Sequence, residues 1–178
     1  MKYKSTVSVE GLTSKDLRRM IDCGTLEPGD RLVFEGQTWK VLKKDEKSIL
    51  IFRAQGSTVC MALDERDEYD YDTSAVREYL HSDKFLATIP EEIRENAGES
   101  LPELLSVTEV TELMPRQIDR IVCDECGDTI WWPTRSASRG YASHTWYVNS
   151  SGNVYYYSAH GAYRFAPACG LTIHRNIE

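Results

Sequence analysis

At 178 residues, 41% of them hydrophobic and 28% charged, the chain suits one globular domain that buries roughly 70% of its unfolded surface. Its formal net charge of −7 divides unevenly: residues 1–128 carry 27 acidic and 17 basic side chains, whereas 129–177 carry four arginines (Arg135, Arg139, Arg164, Arg175) and no acid. An acidic body argues against nucleic-acid binding, which needs a basic footprint. No run approaches the roughly 18 apolar residues of a membrane helix, and the opening MKYKSTVSVE has no apolar stretch to serve as a secretory signal.

In chain order, Thr13 or Ser14 caps a short helix through Leu17, Met20 and Ile21 that stops at Gly24. The turn signal EPGD (27–30) precedes RLVFEGQTWKVL, where Leu32 and Phe34, then Trp39 and Val41, alternate about Glu35-Gly36. That is a hairpin pattern. SILIF (48–52) reads as a buried strand and 58–63 as a shorter one. The acidic run DERDEYDYD (64–72) reads as a solvated loop without the acid–glycine order of a calcium loop. Asp72 or Thr73 then caps a helix over 74–85, Pro90 opens another, and LLSVTEVTELMP is a brief strand running into a helix that ends before Pro115.

The five cysteines, Cys23, Cys60, Cys123, Cys126 and Cys169, are odd in number and scattered, unlike a disulfide framework. Cys123 and Cys126 have the spacing of half a zinc site, but no second pair completes it. A turn closed by Gly127 and holding reduced thiols is the expectation, with no metal and no cofactor.

Several residues in order resemble a known family. Gly29-Asp30, Phe34 and Gly36, and Trp39, Val41 and Leu42 match its opening. Ser74, Arg77, Leu80 and Phe85 match its central helix, and Leu105, Ser106 and Glu109 its next strand and helix. Trp131, Trp132, Arg135 and Ser136, then Val148 and Gly152, then Pro167 and Ala168 match its close. Together, over residues 27–173, they resemble a domain family of unassigned activity common in gut bacteria and their phages. The resemblance implies an α+β, C-type-lectin-like fold of the formylglycine-generating-enzyme type, shared with the variable proteins of diversity-generating retroelements. A twisted antiparallel sheet with two or three flanking helices is therefore expected over 27–178, with 1–26 as an N-terminal extension carrying a short helix. The calcium-binding carboxylate–proline–asparagine element of the sugar-binding relatives is absent. Pro133, where the tryptophan strand reads WWPTRS, predicts a bulge or early end of pairing. Trp39, Trp131 and Trp132 are expected in the core.

The segment YASHTWYVNSSGNVYYYSAHGAYR (141–164) has neither acid nor lysine. It predicts a hairpin, 145–149 with 153–158, around a three-residue loop whose glycine is left-handed. Period-2 geometry puts Trp146, Val148, Val154 and Tyr156 on a core face and Tyr147, Asn149, Asn153, Tyr155 and Tyr157 on an outward face. Tyrosine offers large contact area with two torsions to freeze, and serine, glycine and asparagine supply adaptable hydrogen bonds. Six of the ten tyrosines lie between 135 and 164. The predicted ligand-binding residues are Tyr141, His144, Tyr147, Asn149, Asn153, Tyr155, Tyr157, His160 and Tyr163. Tyr141, His144, Tyr147, Asn149, Tyr155, Tyr157 and His160 are the positions expected to vary if a retroelement diversifies the surface.

The expected function is a non-catalytic receptor-binding or display module of phage origin, with a protein or glycan ligand on a cell surface. The protein would be virion-associated, or cytoplasmic until release. An enzyme on the formylglycine-generating-enzyme type of fold, or a cytoplasmic phage accessory protein blocking a host factor, are the alternatives. No nucleophile with an oriented histidine stands out: Ser158, His160 and Cys169 lack a nearby acid.

Overall fold

The computed structural model describes residues 7–174; Arg175, Glu178 and the ends of the expected domains lie outside the described residues. The protein is mixed α+β. Strand β1 (Ser8–Glu10) precedes α1 (Ser14–Asp22), whose first turn is closed reciprocally by Thr13 and Asp16. Leu17 and Ile21, one turn apart on α1, are fully buried in the main core, and β1 pairs in parallel with β2 (Arg31–Phe34). Residues 8–22 thus pack as part of the same body.

Strand β2 turns into β3 (Gln37–Lys44) through Glu35 and Gly36, both at positive φ (48° and 77°). Two such residues give the twist-compatible hairpin turn. Strands β4 (Ser48–Arg53) and β11 (Pro167–Thr172) continue the sheet antiparallel, and β6 (Glu103–Leu104) closes it in the order β1-β2-β3-β4-β11-β6. The expected strand over 58–63 shrinks to β5 (Met61–Ala62), paired with β10 (Ala162–Tyr163).

Besides the short helix expected ahead of residue 27, four α-helices stand among the described residues of 27–174, where two or three were expected. The helix expected over 74–85 is two: α2 (Ala75–Leu80) and α3 (Asp83–Leu86). Ser82 accepts from the Phe85 backbone N–H and so starts a second helix. Helix α4 (Glu91–Ala97) follows Pro90, and α5 (Val107–Leu113) has a Ser106–Glu109 capping box. No helix is long and apolar enough to cross a membrane among the described residues.

The six-stranded sheet separates two apolar clusters. Leu32, Trp39, Val41, Ile51 and Cys169 face the cluster that takes in Leu17, Ile21, Val76, Leu80, Phe85 and Ile93 from α1–α4. Leu42, Phe52 and Ala168 face the other, built with Val110 of α5 and Trp132, whose ring lies 5.2 Å from that of Phe52. Trp132 opens β7 (Trp132–Ala137), which with β8 (His144–Val148) and β9 (Val154–Ser158) forms a separate three-stranded sheet. Its β7–β8 register shifts between Pro133 and Ala137, where the ring without an N–H donor interrupts the ladder.

The acidic run is a loop that keeps most of its charges in solvent, as expected, but it is pinned to the body at three points. Tyr69 and Tyr71 enter the main core, and Asp64 is buried against Arg66, whose Nε donates to its Oδ1 at 2.8 Å. Tyr71 donates from its hydroxyl to Glu103 at 2.6 Å, and Glu103 is also paired with Arg77 and hydrogen-bonded to His81. The tyrosines interleaved with the acids draw the segment inward, because burying a large ring outweighs solvating a short charged loop.

Candidate functional site

The hairpin at the C-terminal end is built as its sequence dictates. Val148 pairs with Val154, Tyr147 with Tyr155, Trp146 with Tyr156, and Thr145 with Tyr157. Gly152 sits at φ 81°, and a Cβ there would lie 2.1 Å from the Gln117 carbonyl oxygen, so the turn needs glycine for both conformation and space. Asn149 accepts from the backbone N–H groups of Ser151 and Asn153 through Oδ1 at 3.0 and 2.9 Å, and Asn153 accepts from Gln117 at 2.6 Å. Both asparagines therefore hold the turn.

The two faces hold the residues the alternation predicts, and Val148 and Val154 pack in a core cluster as expected, but the coverage of the others differs. Tyr147 is 0% exposed, its ring 4.7 Å from Tyr163 and its hydroxyl donating to the Ser158 carbonyl at 3.1 Å. Burial pushes its phenol well above the ordinary range. The reason is coverage. Strand β8 lies between β7 and β9, so Tyr147 enters the main core while Val148 enters the cluster around Trp132. Tyr155, directly opposite Tyr147 and on the same face, is 54% exposed because β9 is the sheet's edge. Trp146 and Tyr156, expected in the core, lie on the reverse face with their rings 5.6 Å apart.

The predicted residues consequently divide into groups. Tyr155, Tyr157 and Tyr163 belong to the face that carries Tyr147 beneath it. Tyr141 and His144 gather on the reverse face, where Tyr141 stacks on Tyr156 at 5.6 Å and 16° and lies 5.0 Å from His144. His160 is exposed, and its Nε2 donates to the Arg66 carbonyl at 2.8 Å.

Beside Tyr155 and Tyr157 runs a cavity of about 530 Å³, lined by Cys60, Ile130, Trp131, Tyr157, Ala162, Tyr163 and Arg164. Trp131 is 37% exposed rather than buried, meeting Tyr155 edge-on at 6.5 Å. Two adjacent tryptophans in extended chain must point to opposite faces; Trp132 takes the core and its Nε1 donates to the Arg120 carbonyl at 3.0 Å. That alternation was the available signal for Trp131. Gly56 lets the groove close, since a Cβ there would lie 2.3 Å from Ile130 Cδ1. Sequence pattern held no signal for Cys60, Ile130 and Ala162, which reach the groove only through folding.

The local charge is lower than the segment suggests. Arg164 pairs with Glu125 at 2.6 Å and donates to the Ser57 carbonyl at 3.0 Å; Arg135 pairs with Glu109 at 2.9 Å. Its own backbone N–H and then Arg164 hold Glu125 below the ordinary carboxylate range. The acids missing from the segment come from the body, leaving a groove that is aromatic with one neutralised end.

Ser158, His160 and Cys169 are not assembled for nucleophilic chemistry. The Ser158 hydroxyl accepts from the His160 backbone, not from its ring. Cys169 is buried in β11, and burial pushes its thiol up to about 12. Cys123 and Cys126 flank a turn in which Asp124 Oδ1 accepts from the Cys126 and Asp128 N–H groups at 2.9 and 3.0 Å. Among the described residues no three His, Cys, Asp or Glu side chains gather as a metal site. Comparison with protein-family models, curated proteins and solved structures finds no match for this chain.

Proposed function

We propose that this chain is a non-catalytic ligand-binding module, on a C-type-lectin-like fold, that holds its partner on the aromatic groove and the adjoining edge strand β9. The observation that carries this is the exposure of Trp131, Tyr155 and Tyr157 around an apolar cavity of about 530 Å³. Exposed aromatic side chains at a concave site are the groups that dominate binding energy once a partner covers them. Of a protein or a glycan on a cell surface, the open edge of β9 favours a protein that contributes an extended segment. Strand addition there would satisfy backbone groups while alternate side chains enter the groove.

This reading includes display on a phage particle, and variable positions confined to side chains that bear no structural duty. Tyr141, His144, Tyr155 and Tyr157 qualify; Tyr147, Asn149 and His160 do not, since the first fills the core, the second ties the turn and the third is tied to the Arg66 carbonyl. The test is the triple variant Trp131→Ala/Tyr155→Ser/Tyr157→Ser, assayed for binding to host envelope fractions and to a glycan array. The expected result is a folded protein that has lost binding to envelope protein. Undiminished binding overturns the placement, and stoichiometric metal with one hyperreactive cysteine would favour the enzyme alternative.

A further inference from the structure

Across Gly56 and Ser57, which contact Ile130 and Arg164 of the aromatic groove, lies a second site where buried polar atoms have no partners. Arg53 ends β4 opposite Trp39 and is only 7% exposed. Its Nε has no hydrogen-bond partner, and among the described residues no carboxylate lies within ion-pair distance of its guanidinium. Gln37, two residues before Trp39 on β3, shares that face. Its Nε2 donates to the Thr88 carbonyl at 2.8 Å. A carbonyl can only accept, so the amide's orientation is fixed. Its Oε1 is left buried and unbonded.

Both residues line a cavity of about 310 Å³ with Glu35, Val59, Tyr79 and Phe85 among its other walls. Glu35, Gln37, Arg53 and Thr58 also line a second cavity of about 220 Å³. A cation, an acceptor with no donor, a carboxylate and an apolar wall thus meet at one small space. The first cavity is at the lower end of the roughly 300–1,000 Å³ of small-molecule sites.

We infer that this cavity binds a small zwitterion, an α-amino acid with an apolar side chain. Its carboxylate takes the guanidinium fork of Arg53, its ammonium takes Gln37 Oε1 and the Glu35 carboxylate, and its side chain lies against Val59, Tyr79 and Phe85. The pairing accounts for each unmet group. A guanidinium stays charged even where burial pulls it down, as it does Arg53, so it cannot relieve its isolation by releasing a proton. Planar bidentate recognition of a carboxylate is what that fork does best. A plain anion would satisfy Arg53 but would face Glu35 and leave Gln37 Oε1 unmet. A plain cation would have Arg53 against it.

The experiment is calorimetry and thermal shift with L-leucine at millimolar concentration, beside L-leucinamide, N-acetyl-L-leucine and acetate. On the wild-type protein, leucine should bind and raise Tm. The amide lacks the carboxylate and the acetyl derivative lacks the ammonium, so each should bind at least about tenfold more weakly, as loss of one charge-assisted bond requires. Arg53→Met should fold with an unchanged or higher Tm and lose the leucine response. Arg53→Lys, which keeps the charge without the fork, should weaken it, and it serves if Arg53→Met does not fold. Glu35→Gln should weaken leucine but not N-acetyl-leucine. Absence of any leucine response in the wild-type protein overturns the inference. So does acetate binding as tightly as leucine, or a leucine response that survives in both Arg53 variants.

Discussion

Tyr147 and Tyr155 make an internal experiment. They are the same side chain on directly opposed positions of one sheet face, and they differ in coverage: 0% against 54% exposed. Replacing Tyr147 with serine removes a ring of about 150–200 Å², which at about 25 cal/mol per Å² is roughly 4–5 kcal/mol as an upper bound. Incomplete relaxation of the cavity adds to this and the polar hydroxyl subtracts, so about 3–5 kcal/mol is expected. For a chain of this size that lowers Tm by roughly 6–20 °C. Tyr147→Phe removes only the donor to the Ser158 carbonyl and should cost about 0.5–1.5 kcal/mol. Tyr155→Ser lies on an open edge and should cost no more than about 1 kcal/mol. Urea titrations followed by far-ultraviolet circular dichroism give all three values. Equal costs for Tyr147→Ser and Tyr155→Ser would refute the placement of β8 between two cores.

Three further outcomes follow from the packing. The hydrogen bonds from Arg66 hold Asp64 below the ordinary carboxylate range, so its contribution is present above the unfolded value near 4 and is lost as pH falls through the lower folded value. Asp64→Asn should therefore cost on the order of 1 kcal/mol at pH 7, and the gap to wild type should shrink in acid; a gap constant with pH contradicts the pairing. A thiol reagent at pH 8 should modify exposed Cys23, Cys60 and Cys126 in the folded protein and reach Cys169 only on unfolding, as peptide mass spectrometry would read. Gly152→Ala should cost more than Gly127→Ala by chemical denaturation. Both sit at positive φ, an expense of roughly 1 kcal/mol, but only Gly152 has the Gln117 carbonyl in the path of a Cβ.

Much of the local structure was legible in the sequence. The cap at Thr13, the Glu35-Gly36 turn and the Val148–Val154 register all rest on contacts between residues near in the chain. What escaped depends on distant segments. The alternation in 145–157 identifies two faces but cannot tell which strands will be covered on both, and β8 is covered by Tyr163 on one side and by the Trp132 cluster on the other. Tyr147, Tyr155 and Tyr157 therefore read as one outward row, where folding buries Tyr147 and leaves Tyr155 and Tyr157 exposed. The acidic run keeps most of its charges in solvent, as its composition suggests, but the burial of Tyr69 and Tyr71, which fixes its path, was not legible. The arginines of the segment looked unopposed because Glu109 and Glu125 lie far away in sequence.

The most direct test of ligand binding at the aromatic groove is site-specific photo-crosslinking. p-Benzoylphenylalanine placed at position 157 substitutes one aromatic ring for another on the groove wall, and the same group at exposed position 19 on α1 serves as control. Irradiated with host envelope fractions, the protein labelled at 157 should join covalently to a discrete envelope protein, and the Trp131→Ala/Tyr155→Ser background should abolish the product. Equal crosslinking from position 19, or a product from 157 that persists in that background, would contradict the account.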